Sequence, residues 1–162
     1  MFAIRRQAIL VGLIVLLDQV TKSWAVSALA DGRVIHVFGS LQFSLGFNSG
    51  FAFSQGQGMG PLVGLFAMIA VLFLLRAIRK ATTQLSALAL CAIVAGAVGN
   101  IADRIFRGEG WLRGRVVDFI DVQWWPVFNV ADSSITVGAC ALIAAMLMEA
   151  RSGKGVDNTH ES

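Results

Sequence analysis

Three aspartates stand close together in the stretch VVDFIDVQWWPVFNVADSSI, residues 116–135: Asp118, Asp121 and Asp132. Asp132 lies among residues that otherwise make a membrane helix, where a charge is expensive and usually serves function. Two carboxylates brought to one site cannot both ionise easily, so one keeps its proton. Such a pair offers a base to activate water and an acid for the leaving group, which is the chemistry of hydrolysis. Asp132 is one member by position. Asp118 and Asp121 both qualify, on spacing alone, as the partner supplied by the preceding loop.

Other polar residues converge on the same membrane depth. Asp18 and Lys22 are i, i+4 and stack on one helix face. Asn100, Asp103 and Arg104 share a face at i, i+3, i+4, and Asn129 and Asp132 are i, i+3. Gly96 comes one turn before Asn100, where the missing side chain permits close approach. Buried ion pairing within a helix bundle is the simpler use of Asp18–Lys22 and Asp103–Arg104, but Asp132 has no cation within one turn on its own helix. Ser133 or Ser134 with Lys22 would be a serine–lysine nucleophile. Neither serine has a G-x-S-x-G setting, and helix-end hydrogen bonding accounts for both. His36 and His160 are the only histidines and Cys91 and Cys140 the only cysteines. With no HExxH and no CxxC, neither a metal nor another cofactor is expected, and the cysteines read as packing residues.

The elements that must position these groups are membrane helices. Of 162 residues, 56% are hydrophobic and 14% charged, against about 25% charged in a soluble domain. The net charge of +3 is scattered between apolar runs, so no nucleic-acid surface is expected. Four stretches are long enough to cross a bilayer, roughly 8–29, 59–78, 85–105 and 127–148. Arg5 and Arg6 before Ala8–Leu17 resemble a signal peptide, but Asp18, Gln19, Thr21 and Lys22 interrupt the apolar run, so the first stretch reads as a retained helix. Arg5, Arg6, Arg76, Arg79, Lys80, Arg151 and Lys154 fall on one side. Arg33, Arg104, Arg107, Arg113 and Arg115 fall on the other. The positive-inside rule then puts both termini in the cytoplasm and the polar cluster in the outer half of the membrane.

Between the first two spans, LQFSLGFN (41–48) alternates strictly, with Leu41, Phe43, Leu45 and Phe47 on one face. Period-two alternation signals a half-buried strand. The expected hairpin runs over 41–53 through a turn at Asn48-Ser49-Gly50, its apolar face resting on lipid or acyl chain. The expected architecture is an all-α integral membrane protein of four transmembrane helices, with a small extracytoplasmic β-hairpin or sheet (about 33–55) between helices 1 and 2. Residues 1–150 form one domain and 151–162 a disordered cytoplasmic tail. Trp124, Trp125 and Pro126 mark the interface and the start of the fourth helix, with Asp132 four or five residues inside it.

Five motifs, in order along nearly the whole chain, resemble those of the lipoprotein signal peptidases (signal peptidase II). They are DQVTK at 18–22, FNSGFAF at 47–53, GAVGNIADR at 96–104, VVDF at 116–119 and FNVADSSI at 128–135. The resemblance implies that Asp118, not Asp121, partners Asp132 as the catalytic dyad. It also implies that Asp18, Lys22, Asn48, Gly50, Gly96, Asn100, Arg104, Asn129 and Ala131 line or support the site. Ala95 stands where a second glycine is usual and Phe51 where alanine is common. The implied substrate is a prolipoprotein cut just before a diacylglyceryl-cysteine, in the lipid of a bacterial inner membrane. The implied inhibitors are of the globomycin type. A four-helix ion- or proton-coupled transporter is the alternative from a different class.

Overall fold

The computed structural model describes residues 2–50 and 59–157. Four long helices dominate: α1 (Phe2–Ala28), α2 (Gly60–Lys80), α3 (Gln84–Phe106) and α4 (Val130–Asp157). The stretches able to cross a membrane are Ile4–Ala28, Gly60–Lys80, Gln84–Phe106 and Val130–Arg151. Each overlaps its expected span. α4 continues to Asp157, past the point where a tail was expected to begin.

α3 is the central helix and touches the other three. Its buried face is built largely of small residues, among them Ser86, Ala87, Ala89, Ala95, Gly96 and Gly99. Small residues let helix backbones approach closely, and van der Waals packing there replaces the hydrophobic drive that lipid removes. A Cβ on Gly96 would collide with the Ala131 carbonyl oxygen and stand 2.7 Å from Ile135 Cγ1. One on Gly138 would lie 2.8 Å from the Ala89 carbonyl, so α3 and α4 meet at two bare points. The outward faces of α1 and α2 expose Leu13, Leu16, Val20, Phe66, Leu72 and Phe73, as lipid-facing helices should.

Three strands make an antiparallel sheet in the order β1 (Ile35–Phe38), β2 (Leu41–Asn48), β3 (Val116–Asp121). β2 covers the alternating octapeptide. Its hairpin partner precedes it, and the third strand comes from the α3–α4 connection; the expected return strand at 51–53 lies outside the described residues. The apolar face also differs from expectation. Phe43 and Leu45 pack on Ala25, Leu29 and Phe119 rather than on lipid. Trp24 meets Phe43 and Phe119 edge-on, with ring centroids 5.4 and 6.1 Å away, and the two phenylalanines are tilted against each other. A register shift between Phe43 and Gly46 breaks the alternation, and Phe47 is left half exposed.

The sheet matters because it fixes β3 above the helices. The chain leaving β3 returns at once: the Phe128 carbonyl accepts from the Phe119 and Ile120 N–H groups at 3.0 and 2.8 Å, and Phe128 N–H donates back to Ile120 at 3.0 Å. Asn129, the residue capping α4, therefore arrives beside Asp118.

Candidate active site

Asn129 precedes Val130, so it is the N-cap of α4 and Asp132 is the third helical residue, nearer the helix start than spacing suggested. The two cap each other. Asp132 N–H donates to Asn129 Oδ1 at 2.8 Å, and Asn129 N–H to Asp132 Oδ2 at 3.3 Å. This is a capping box with asparagine and aspartate in its two roles, and it also suits a carboxylate at a helix N-terminus. Because Asn129 Oδ1 is committed, its Nδ2 faces the other way and donates to Asp118 Oδ1 at 2.7 Å. One asparagine thus ties the two aspartates together.

Asn100 holds the other side. Its Oδ1 accepts from Lys22 Nζ at 2.9 Å and from Asn129 Nδ2 at 3.2 Å, which turns its Nδ2 onto Asp132 Oδ1 at 2.8 Å. Lys22 in turn is fully buried and forms ion pairs with Asp18 and Asp103, each at 2.9 Å. Its three ammonium donors meet three acceptors. Asp18 accepts the Ala131 N–H at 2.9 Å. Asp103 accepts from Arg107 at 2.8 Å and from the Val117 N–H at 3.1 Å. Buried charges are tolerated when paired and hydrogen-bonded throughout, and this cluster is.

Asp103 therefore pairs with Lys22 and Arg107, not with its neighbour Arg104. Arg104 turns toward a cavity of about 410 Å³, where Nη2 donates to the Gly50 carbonyl at 2.7 Å. The cavity is lined by Asn48, Gly50, Asn100, Arg104, Asp118 and Asp132, with Trp125, Pro126, Ile135 and other apolar residues making up its walls. Asp118 is only 7% exposed. Burial first, and then the charge of Asp132, push its carboxyl up to about 7. Asp121 is not among the lining residues. The Gln42 amide, helped by the Gln123 N–H and Ser44, holds it below the usual carboxylate range.

The expected site residues thus meet, in three kinds of place. Asn48, Gly50, Asn100, Arg104, Asp118 and Asp132 line the cavity. Asp18, Lys22, Asn129 and Ala131 support it from behind. Gly96 serves the helix crossing instead. Gln19 was missed: its amide bridges Asp18, the Gly99 carbonyl and Asp103, each at 3.1 Å, and its place beside Asp18 was the available signal. Gly99 was missed too, although a Cβ there would stand 2.6 Å from Asp18 Oδ2. Ser133 and Ser134 donate to the Asn129 and Ala92 carbonyls at 3.0 and 2.8 Å. With Lys22 enclosed by acceptors, the serine–lysine arrangement is not assembled.

Residues 10–148 match the family model described as Signal peptidase (SPase) II. Over 141 residues the chain is 40% identical to the lipoprotein signal peptidase of Rhodococcus jostii (strain RHA1), an alignment covering 86% of this chain and 71% of that protein. Over 135 residues it is 43% identical to the lipoprotein signal peptidase of Mycolicibacterium smegmatis (strain ATCC 700084 / mc(2)155), covering 83% of this chain and 57% of that one. A solved structure described as a bacterial membrane enzyme superposes with a TM-score of 0.81 at 28% identity, covering 91% of this chain and 90% of that one. A second of the same description gives 0.76 at 29% identity, covering 89% and 94%.

Proposed function

The chain belongs to the signal peptidase II family, and from that premise we propose that it is an aspartic endopeptidase that removes the signal peptide from prolipoproteins in a bacterial cytoplasmic membrane. The observation that carries the reading is the pair Asp118 and Asp132, brought from a strand and a helix to one cavity and joined through Asn129. The carboxyl raised to about 7 gives the pair a proton to hold at neutral pH. The ionised partner takes a proton from a water between them as the water oxygen attacks the scissile carbonyl carbon. The protonated partner donates to the developing oxyanion. On collapse the carboxyl that took the water proton passes it to the leaving amine as the C–N bond breaks, and the hydroxyl formed from the oxyanion returns its proton to the other aspartate. Asn100 and Asn129 keep both carboxylates oriented without neutralising either.

The cavity's apolar walls suit a segment that emerges from lipid, cut just before a diacylglyceryl-cysteine. The same cavity is the proposed seat of globomycin-type inhibitors. An ion-coupled transporter is not supported, since the family is a peptidase and the cations and carboxylates of the buried cluster already satisfy one another.

A cleavage assay on a precursor peptide with and without the diacylglyceryl group tests the reading. The lipidated peptide should be cut N-terminal to its cysteine and the unlipidated one should be a poor substrate. Equal cutting of both, or cutting elsewhere, would remove the lipid from the proposal.

A further inference from the structure

Leu112 is a leucine in a conformation that favours glycine. Its φ is +58°, yet its side chain is fully buried. L residues adopt this region at a cost and persist there when surrounding structure demands it. The surroundings do so here. The connection after α3 folds back across the end of that helix, with Gly114 N–H donating to the Arg104 carbonyl at 2.9 Å and Arg115 N–H to Arg107 at 3.4 Å. Gly114 has no room for a side chain, because a Cβ would collide with the Asp103 carbonyl oxygen. The loop is thereby held down, and Leu112 at its turn is driven inward toward α2.

There it meets Arg104. Gly60 and Gly64 are the buried residues of α2, one turn apart on one face. A Cβ on Gly64 would stand 2.9 Å from Leu112 Cδ2 and 3.3 Å from Arg104 Cδ. One on Gly60 would stand 3.1 Å from Arg104 Nη1 and 3.5 Å from the Leu112 carbonyl. The two side chains therefore share a bare groove on α2, and of the two it is Arg104 that also lines the cavity. Within that groove Arg104 Nη2 is fixed by the Gly50 carbonyl, whereas Nη1 is buried and has no hydrogen-bond partner among the described residues. A buried guanidinium donor left unpaired is costly, and an arriving acceptor relieves that cost.

We propose that Leu112 is a positioning residue: its strained, inward side chain wedges Arg104 against Gly60 and Gly64 so that Nη1 stays presented to a backbone carbonyl of the substrate. The proposal rests on the peptidase reading of the cavity, and turnover by the unaltered enzyme, measured first, tests that reading separately. The experiment is steady-state cleavage of a lipidated precursor peptide by the full chain in lipid nanodiscs.

Glycine suits a φ of +58°, so Leu112→Gly relieves the backbone while deleting the wedge. KM should rise roughly tenfold or more, the worth of one charge-assisted hydrogen bond, with kcat within about twofold. Leu112→Met, which refills the groove, should restore KM to within about threefold. Gly64→Ala places a methyl 2.9 Å from Leu112 Cδ2, which displaces the wedge, and should raise KM in the same way, although alanine favours the helix. In an Arg104→Lys background the Leu112→Gly effect on KM should largely vanish, because the two act through one contact. An unaltered KM in Leu112→Gly, or the same rise with and without Arg104, in an enzyme that cleaves normally otherwise, would overturn the assignment. Should Leu112→Gly fail to insert, the Gly64→Ala measurement decides alone.

Discussion

At the scale of single residues the decisive contrast is between Asp118 and Asp121, three positions apart on one strand. Asp118 faces the cavity with its carboxyl raised to about 7, and Asp121 is held low by Gln42 outside it. Asp118→Asn and Asp132→Asn should each lower kcat by ~10²–10⁴-fold or more, with the double variant little worse than either. Asp121→Asn should keep most activity. Full activity in Asp132→Asn with loss in Ser133→Ala would reverse the mechanism. Rate should fall as pH rises through about 7, because the pair then loses the proton it needs. Stability follows the same sign. The folded carboxyl sits above its ordinary 3.8, so the fold binds the proton more tightly than the unfolded chain, and this contribution is lost between about 4 and 7 as pH rises. Asp118→Asn should therefore melt higher than the unaltered protein near pH 8, by roughly 1–4 kcal/mol, and show little gain near pH 4. A lower melting point near pH 8 would contradict the cause given for the raised carboxyl. Asp132 stood out as a charge in an apolar run, and motif order chose Asp118. The partners of Asp103 were not legible: its own helix offers Arg104 and Arg107 nearby, and Lys22, on α1, is brought to it only by the helix-to-helix arrangement.

At the scale of elements, α3 carries the load, since the crossing with α4 sets where Asp132 stands. Gly96→Ala should cost about 1–3 kcal/mol, the usual range for overpacking, and depress activity with it, because the groups in the way are the Ala131 backbone and Ile135. Gly12→Ala is the control: among the described residues nothing lies within 4 Å of its Cβ position, so it should be neutral or slightly stabilising. Equal melting temperatures for the two would show that the crossing is looser than drawn. Lys22→Met should be worse than either, roughly 3–5 kcal/mol, because it leaves Asp18 and Asp103 buried without their shared cation. The helices were readable from apolar length, and β2 from its alternation. β3 was not. Val116, Val117, Asp118 and Phe119 are all buried, so the strand has no wet face to produce a period of two, and its pairing with β2 spans some seventy residues of chain. The aromatic face of β2 was misassigned for a related reason. Alternation tells which residues are dry, not whether lipid or Trp24 and Phe119 dries them.

At the scale of the whole molecule the cavity sits at one end of the bundle, where the sheet and the exposed Trp111, Trp124 and Trp125 gather. Tryptophan favours membrane boundaries, which suits a site at the interface rather than at mid-depth. The opposite end carries Arg76, Arg79 and Lys80, the last two in the final turn of α2, where cations complement the helix dipole. Of the thirteen Lys and Arg, Lys22 lies in the buried cluster, and the sequence count set seven of the others on this end against five on the other. Two of those five have reasons to lie at the site: Arg104 binds Gly50, and Arg107 binds Asp103 and Ser23. The basic residues free to report orientation are then Arg33, Arg113 and Arg115 against seven, and on that count we propose that the polybasic end is cytoplasmic. Four spans place both termini on that side. A reporter fused after Arg151 should therefore behave as cytoplasmic, and one inserted near Gly56 as extracytoplasmic. A signal peptide crossing from the cytoplasm would then bring its cleavage point to the dyad in the outer leaflet, with the lipidated cysteine held at the lipid surface. If the Arg151 fusion instead reports the outside, Asp118 and Asp132 face the cytoplasm, and the enzyme would have to meet its precursor before translocation.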